Sequence, residues 1–525
     1  MVHLSKKQYL WVALVFALVV FLQIVSIVNK GMITDDEGVS YIAATGHQGN
    51  YENLSIKGKW VDITEWKRLW KPDKTFCLST ISKHLAQYDI HPPLYFWFLH
   101  IWVLLTSTSI WSGSFLNLIF FAGIFFCLIT AGMKILNSFR LSLGMAFIWG
   151  VSPAVMEYIK ESRPYALLAL FTVIFLILLL KLMQEENKIK IIRFIAIAFI
   201  AAAGTLTHYY FALIIAAAAL VLVAKCYYSG KWELFIKYVL SIISSIIIFI
   251  AAHPYFYLSF VRQQEQAKDF VAADLLHRIT LSVKAFNTYY FPGIFSKPGF
   301  ALTVLLICLL VVFFFINPGL KVKLKQQLTY LQKVVLFLFT FLALTFVGLY
   351  LAFISPAHAM TAKYLSMIHI FIVLSSFIIL LQFNLKIQKV LFVLLCLWQF
   401  SMGAYFIQKE HKNYAAFKER PVGELADTRN LIVDMDERTI VPSILWYFPD
   451  HVRVFIANQD SLLARPGEWK SQLGNEFIYI SDLRFTNTVE KRQRIIEEME
   501  NSGFRLQKSE KFFYNDVSSY YSFIK

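Results

Sequence analysis

The chain has 525 residues, of which 58% are apolar and 16% charged. Soluble proteins carry about a quarter charged residues, so a body surrounded by water is excluded, and 49 Phe with 26 Tyr argue against disorder, collagen-like repeats and coiled coils. A formal charge of +16 would suggest nucleic acid in a soluble chain; here Lys and Arg gathered in cytoplasmic loops account for it, and nucleic-acid binding is set aside.

A helix needs roughly 20 apolar residues to cross the hydrocarbon core. Such runs occur near 9–28, 113–133, 141–158, 164–182, 191–206, 209–224, 238–256, 300–317, 333–354, 364–382 and 388–407, which predicts about eleven spans. The first follows Lys6 and Lys7 and has no small-residue cleavage site after it, so it reads as a retained helix. If the spans alternate, Lys6, Lys134, Arg140, Lys181, Arg193, Lys225, Lys237, Lys323 and Lys386 fall on one side, the cytoplasm. The loops 29–112 and 257–299, the turns 157–163 and 355–363, His208 and the C-terminal segment then lie outside. Residues 91–107 would reverse every later loop if they crossed, so they are expected to form an interfacial or re-entrant helix, to which their Trp, Tyr and His content is suited.

The fold class expected is mainly α: a polytopic transmembrane helical bundle over 1–407, with a first extracytoplasmic loop at 29–90 and a second at 257–299. Beyond about 408 the composition turns soluble. VRVFIA (452–457) and EFIYISDL (476–483) read as strands, and 489–502 reads as a helix ending at Gly503. This predicts a small α/β extracytoplasmic domain over 408–525. It carries no nucleophile, phosphate-loop or metal motif and is read as a structural or acceptor-guiding cap. The five cysteines offer no disulfide pair and no CxxC.

Chemistry-bearing residues collect on the predicted outer side. Asp35, Asp36 and Glu37 follow the first span directly; a carboxylate there can accept a proton from a hydroxyl, and without context the cluster reads equally as a solvated loop. His91 precedes two prolines that suit a helix start, and its ring can donate to a phosphate or a sugar hydroxyl. In Glu157–Tyr165, Lys160 and Arg163 run against the inside bias. Arg163 either stitches two helices by pairing with Glu157 or Glu161, or faces a phosphate together with Lys160. His208 and Tyr209 open one span, and Lys363 and Tyr364 another; a cation at that depth demands a phosphate or carboxylate partner.

Asp36-Glu37, HPPLY (91–95), ESRPYALL (161–168), THYYF (207–211) and Lys363-Tyr364 follow one another as in bacterial GT-C membrane glycosyltransferases. Over roughly 8–407 the chain resembles their protein O-mannosyltransferase-like branch, related to the lipid A aminoarabinose transferase. The resemblance implies a plasma-membrane enzyme that moves a sugar from a polyprenyl-phosphate-linked donor to an acceptor outside, a protein hydroxyl, glycolipid or cell-envelope glycan. It places Asp36, with Glu37, at the catalytic acid pair, Asp35 being an extra acid whose alignment is open. His91, Lys160, Glu161, Arg163, Tyr165, His208, Tyr209, Lys363 and Tyr364 are carried over as donor-binding residues. Many relatives have Arg where Lys363 stands, so a bidentate contact gives way to a point charge.

A single displacement needs a base on one side of the sugar and fixed positive charge on the other, which Asp36 and Arg163, Lys160 or Lys363 would supply from one shared pocket. A retaining route would use Glu161 as nucleophile. No cofactor is required; a divalent cation is compatible, with Asp36 as its ligand. The alternative class is a transporter or flippase of lipid-linked sugars, which calls for charges within the spans and an internal repeat. Neither is visible.

Overall fold

The computed structural model describes residues 4–53, 57–184, 190–268, 327–353, 362–417, 428–435, 441–483, 487–512 and 518–525, with a few isolated positions between. In chain order the helices are α1 (Lys6–Val28), α2 (Asp35–Ala44), α3 (Gln48–Glu52), α4 (Ile63–Lys67), α5 (Leu78–Tyr88), α6 (Leu94–Thr106), α7 (Ser112–Leu136), α8 (Phe139–Gly150), α9 (Pro153–Lys160), α10 (Tyr165–Gln184), α11 (Ile191–Thr207), α12 (Phe211–Ser229), α13 (Trp232–Ala252), α14 (Phe256–Lys268), α15 (Tyr330–Phe353), α16 (Ser366–Leu381), α17 (Leu385–Phe417), α18 (Val441–Leu445), α19 (Gln459–Ala464), α20 (Pro466–Lys470) and α21 (Val489–Asn501). The chain divides into two compact units: 1–27, 85–95 and 113–407 form the first, and 28–84, 96–112 and 408–525 the second.

The first unit is the apolar bundle. Eight described helices, α1, α7, α10, α12, α13, α15, α16 and α17, are long and apolar enough to cross a membrane, and the protein is a multi-pass membrane protein. The run at 141–158, expected as one span, is instead the pair α8 and α9, bent by 56°. Pro153 at the first turn of α9 has no N–H to continue the α8 ladder, so the chain turns at Val151-Ser152. The run at 191–206 forms α11, whose 17 residues reach about 26 Å at 1.5 Å each. The run at 300–317 and most of the loop 257–299 lie outside the described residues. α6 has 13 residues, about 20 Å, short of the ~30 Å core.

Helices α10 and α16 are apolar on nearly every face, as interior helices must be; Leu167, Leu168, Phe175, Ile368, Ile370 and Phe371 are all buried. Phe121 of α7 stacks on Trp149 of α8 at 5.0 Å. Gln23 of α1 donates to the Gly150 carbonyl at 2.8 Å, satisfying a backbone group where α8 ends and no water is at hand.

The second unit is built on a six-stranded sheet of β1 (Trp60–Asp62), β2 (Asn430–Asp434), β3 (Arg453–Ala457), β4 (Glu476–Asp482), β5 (Arg505–Lys511) and β6 (Ser518–Ile524), ordered β1-β3-β2-β4-β6-β5. β3, β2 and β4 run parallel, and the outer pairings are antiparallel. Ile495 and Met499 of α21 join Phe455, Trp469, Phe477 and Phe523 in its core. Both expected strands and the helix before Gly503, which takes φ +87, are present. The edge strand β1 comes from the first loop: Trp60 pairs with Phe455, and its indole N–H donates to the Trp469 carbonyl at 3.0 Å. That strand covers an edge of β3 that would otherwise expose a row of peptide groups.

Asp434, at the end of β2, is fully buried. Its carboxylate accepts from Gln459 and Ser481 at 2.9 Å, from the Asp482 amide at 2.9 Å, and from the Tyr479 hydroxyl. Burial outweighs these donors and pushes its pKa up to about 7. Because the unfolded carboxyl titrates near ~4, the folded state takes up the proton first as pH falls. The penalty for a buried charge is therefore present above pH 7 and relieved towards pH 4. The unfolding free energy of the full protein in detergent micelles is expected to rise by on the order of 2–3 kcal/mol from pH 7.5 to pH 5, seen as a higher thermal midpoint. Asp434→Asn should flatten that profile, whereas a wild-type midpoint indifferent to pH in this window would refute the assignment.

Candidate active site

In the first unit the site grows from the turn between α9 and α10. Glu161 leaves the helix in an extended conformation (ψ 136°), Arg163 precedes Pro164, which disfavours a helical backbone, and α10 restarts at Tyr165. The last carbonyls of α9 would be orphaned in an apolar setting. Side chains from the start of α7 take them: Ser114 donates to Lys160 O, and Asn117 to Ile159 O at 3.2 Å and Glu161 O at 2.5 Å. Gly113 permits the approach. A Cβ there would lie 2.2 Å from Ser162 Oγ and 3.0 Å from its Cα.

The turn delivers Arg163, only 5% exposed, to His91. Arg163 Nη2 lies 3.0 Å from His91 Nε2, and His91 Nδ1 lies 2.5 Å from Asp89 Oδ1. A guanidinium only donates, so Nε2 is the acceptor and Nδ1 carries the hydrogen given to Asp89. The order is thus guanidinium, imidazole, carboxylate, a relay that locks the ring and aligns the cation. Asp89 also accepts from the amides of Ile90 (2.5 Å) and His91 (3.1 Å). Burial alone would raise its pKa; the His91 ring, its hydrogen bond and Arg163 reverse that and hold the carboxyl well below the usual range.

His208, between α11 and α12, sits edge-on to His91 with ring centroids 5.9 Å apart, and near Tyr165 (6.0 Å) and Tyr210 (4.6 Å). Its Nδ1 accepts the Tyr210 amide at 3.2 Å, which leaves Nε2 to donate. Burial first, then the neighbouring His91 and Arg163, pushes its pKa down to about 3, so the ring is neutral. Tyr165 also meets Tyr364 edge-on at 5.7 Å. Lys363 finds the carboxylate partner that its depth demands: its ammonium is 3.2 Å from Glu161 Oε2, both side chains being 13% exposed. Lys160 lies over the Phe406 ring at 5.1 Å, and Tyr209 packs edge-on to Phe249. His91, Glu161, Arg163, Tyr165, His208, Lys363 and Tyr364 are thereby linked through direct contacts or a shared turn.

The acids after the first span belong to the second unit. Thr34 caps α2, accepting the Glu37 amide at 3.3 Å, and the Glu37 carboxylate returns to the Thr34 amide at 3.0 Å. This capping box, with three acids in the first turn, matches the helix dipole. Glu37 is fully buried and also pairs with Lys30, itself 3% exposed. Asp35 accepts from Ser443 Oγ at 2.5 Å, and the Tyr447 hydroxyl holds the Ile33 amide at 2.5 Å. Asp36 is half-buried, and its carbonyl accepts from Ser40. The segment around α18 therefore fixes the start of the helix that presents the acids.

Sequence reasoning passed over Asp89, Asn117, Ser443 and Tyr447. Asp89 had a signal in its place two residues before His91; the others are single polar residues whose partners lie far along the chain. It also passed over His253, fully buried at the end of α13, with no hydrogen-bond partner for either ring nitrogen among the described residues. Its signal was the His-Pro-Tyr that follows a span. Among the described residues no group of three or more His, Cys, Asp or Glu side chains is assembled to hold a metal ion.

Residues 90–256 match the family described as dolichyl-phosphate-mannose-protein mannosyltransferase, a stretch that contains His91, Arg163, His208 and His253. The structure is similar to that of ArnT from Cupriavidus metallidurans bound to undecaprenyl phosphate, at 11% identity and a TM-score of 0.55 over 98% of both chains. It is likewise similar to the apo state of that protein, at 10% identity and 0.56 over 98% of both chains. A sequence comparison with curated proteins returns no match. The fold is the one seen in these two structures.

Proposed function

We propose that this protein is a glycosyltransferase that moves a sugar from a polyprenyl-phosphate-linked donor to an acceptor on the outer face of a bacterial plasma membrane. The observation that carries the reading is the buried relay of Asp89, His91 and Arg163, whose His91 and Arg163 lie within the segment matching the mannosyltransferase family. In an inverting displacement, the acceptor oxygen forms a bond to the anomeric carbon while the bond from that carbon to the phosphate oxygen breaks. Its electron pair leaves on the phosphate, and the acceptor proton passes to a base. Arg163, pre-aimed by His91, stabilises the leaving charge, and the Nε2–H of neutral His208 donates to it without adding a titratable group. Lys363 adds a point charge oriented by Glu161, whose carboxylate is thereby engaged and is not assigned as a nucleophile. Asp36 is assigned as the base. Glu37, held by Lys30 and the capping box, and Asp35, held by Ser443, are assigned to positioning it. A divalent ion, if the reaction uses one, would draw on Asp36 and the donor phosphate.

The test is reconstitution of the full-length protein in liposomes with polyprenyl-phosphate-linked sugars and an envelope extract. Cleaved donor, free polyprenyl phosphate and a glycosylated product are expected. Intact donor moved across the bilayer would instead establish a transporter. Gly113→Ala pushes the 161–163 turn away from α7 and should lower transfer by about 10²-fold, the cost of a misplacement near 1 Å. Gly348→Ala, where a Cβ meets nothing within 4 Å, should leave it unchanged. Equal activity in both would dissociate the turn from the chemistry.

A further inference from the structure

The first unit carries a cavity of about 920 Å³ among α1, α8 and α17, which the transfer reaction does not use. Its walls repeat at helical spacing. Lys7, Trp11 and Val15 stand four apart on α1, as do Phe139, Leu143 and Phe147 on α8, so each row lies along one helix face for about 12 Å. Gly144 sets the floor: a Cβ there would fall 2.2 Å from the Phe392 ring, so the bare backbone lets that ring of α17 sink in.

The lining is ordered by polarity. Lys7, Arg140 and Ser138 stand at one end, and the deeper turns offer Val15, Leu143, Phe147 and Phe392; among the described residues no carboxylate lines it. Its place in the bundle is fixed by α7. Ser114 and Asn117 at the start of that helix hold the Arg163 turn, while Ser138 and Arg140 follow its end at Leu136. The intervening residues of α7 amount to about 30 Å, one hydrocarbon thickness, so the groove opens at the face opposite the Arg163 relay. The positive-inside bias makes that face cytoplasmic.

We propose that this groove binds one anionic glycerophospholipid of the cytoplasmic leaflet. The phosphate lies between Lys7 and Arg140, Trp11 stands at the glycerol level, and an acyl chain runs along Val15, Leu143 and Phe147. Charge complementarity selects the headgroup, and burial of methylenes against the aromatic wall supplies the rest of the affinity. A free phosphate would meet only the two exposed cations.

Native mass spectrometry of the full-length protein, released from nanodiscs of phosphatidylglycerol or phosphatidylcholine, tests this. The wild type is expected to retain one phosphatidylglycerol and no phosphatidylcholine. The pair Lys7→Glu/Arg140→Glu should retain at least tenfold less, the milder Lys7→Ala/Arg140→Ala should fall in between, and Cys396→Trp, which fills the groove with both cations intact, should match the charge reversal. Lys237→Glu, a cation on α13 that pairs with Glu233, should behave as wild type. Retention unchanged in the charge-reversed pair or in Cys396→Trp, equal retention of phosphatidylcholine, or displacement of the lipid by soluble glycerol phosphate would each overturn the proposal.

Discussion

Replacing Arg163 by alanine is expected to lower the rate of sugar transfer by about 10²–10³-fold, the range for removing one fixed donor from a developing oxyanion, or roughly 3–4 kcal/mol. Two features of its setting set this scale. The guanidinium is buried, so its interaction with a phosphate is little screened. It is also held in advance by His91, which is held by Asp89, so no reorganisation is required as charge develops. Arg163→Lys keeps the charge and loses the planar fork, and should fall between the two. Asp89→Asn tests the relay at its far end: the amide no longer forces the hydrogen onto His91 Nδ1, so turnover should drop while the charge of Arg163 remains. Full activity in Arg163→Ala protein that is monodisperse on gel filtration would remove this residue from the reaction.

Asp36→Asn should reduce transfer by about 10²–10⁴-fold while leaving donor binding unchanged, because an amide of the same shape cannot take the acceptor proton. Its neighbours should respond differently. Glu37→Gln leaves buried Lys30 without its charge partner and weakens the Thr34 cap, so it is expected to destabilise the protein by on the order of 3–5 kcal/mol, seen as a lower unfolding midpoint. Asp35→Asn, facing Ser443, should have a small effect on both. If Asp36→Asn turned over normally and Glu37→Gln were inactive yet as stable as wild type, the roles assigned to the two carboxylates would have to be exchanged.

The eight described spans were legible because each consists of enough consecutive apolar residues to decide the matter locally. Where a single residue bent the run, hydropathy gave its extent and not its shape: Pro153 divides 141–158 into two helices at 56° to one another. The tail was legible as α/β from the runs at 452–457 and 476–483. The contribution of Trp60–Asp62 to the same sheet was not, since a three-residue edge strand has no periodicity to detect. At the candidate site, residue types and order pointed to His91, Arg163, His208 and Lys363, and the pairings stayed hidden. Glu161 and Lys363 meet across 202 positions, and Arg163 donates to His91 across 72. Such partners are set by how α9, α10 and the segment before α6 pack, information that no local window contains.

Mass spectrometry of lipid extracts and envelope glycans from cells with and without the protein tests the central claim most directly. A polyprenyl-phosphate-linked sugar should accumulate when the protein is missing, one glycan should disappear, and both changes should be reversed by the wild-type chain and by neither Asp36→Asn nor Arg163→Ala. Lipid-linked sugar pools and glycans that are the same in all of these strains would contradict it.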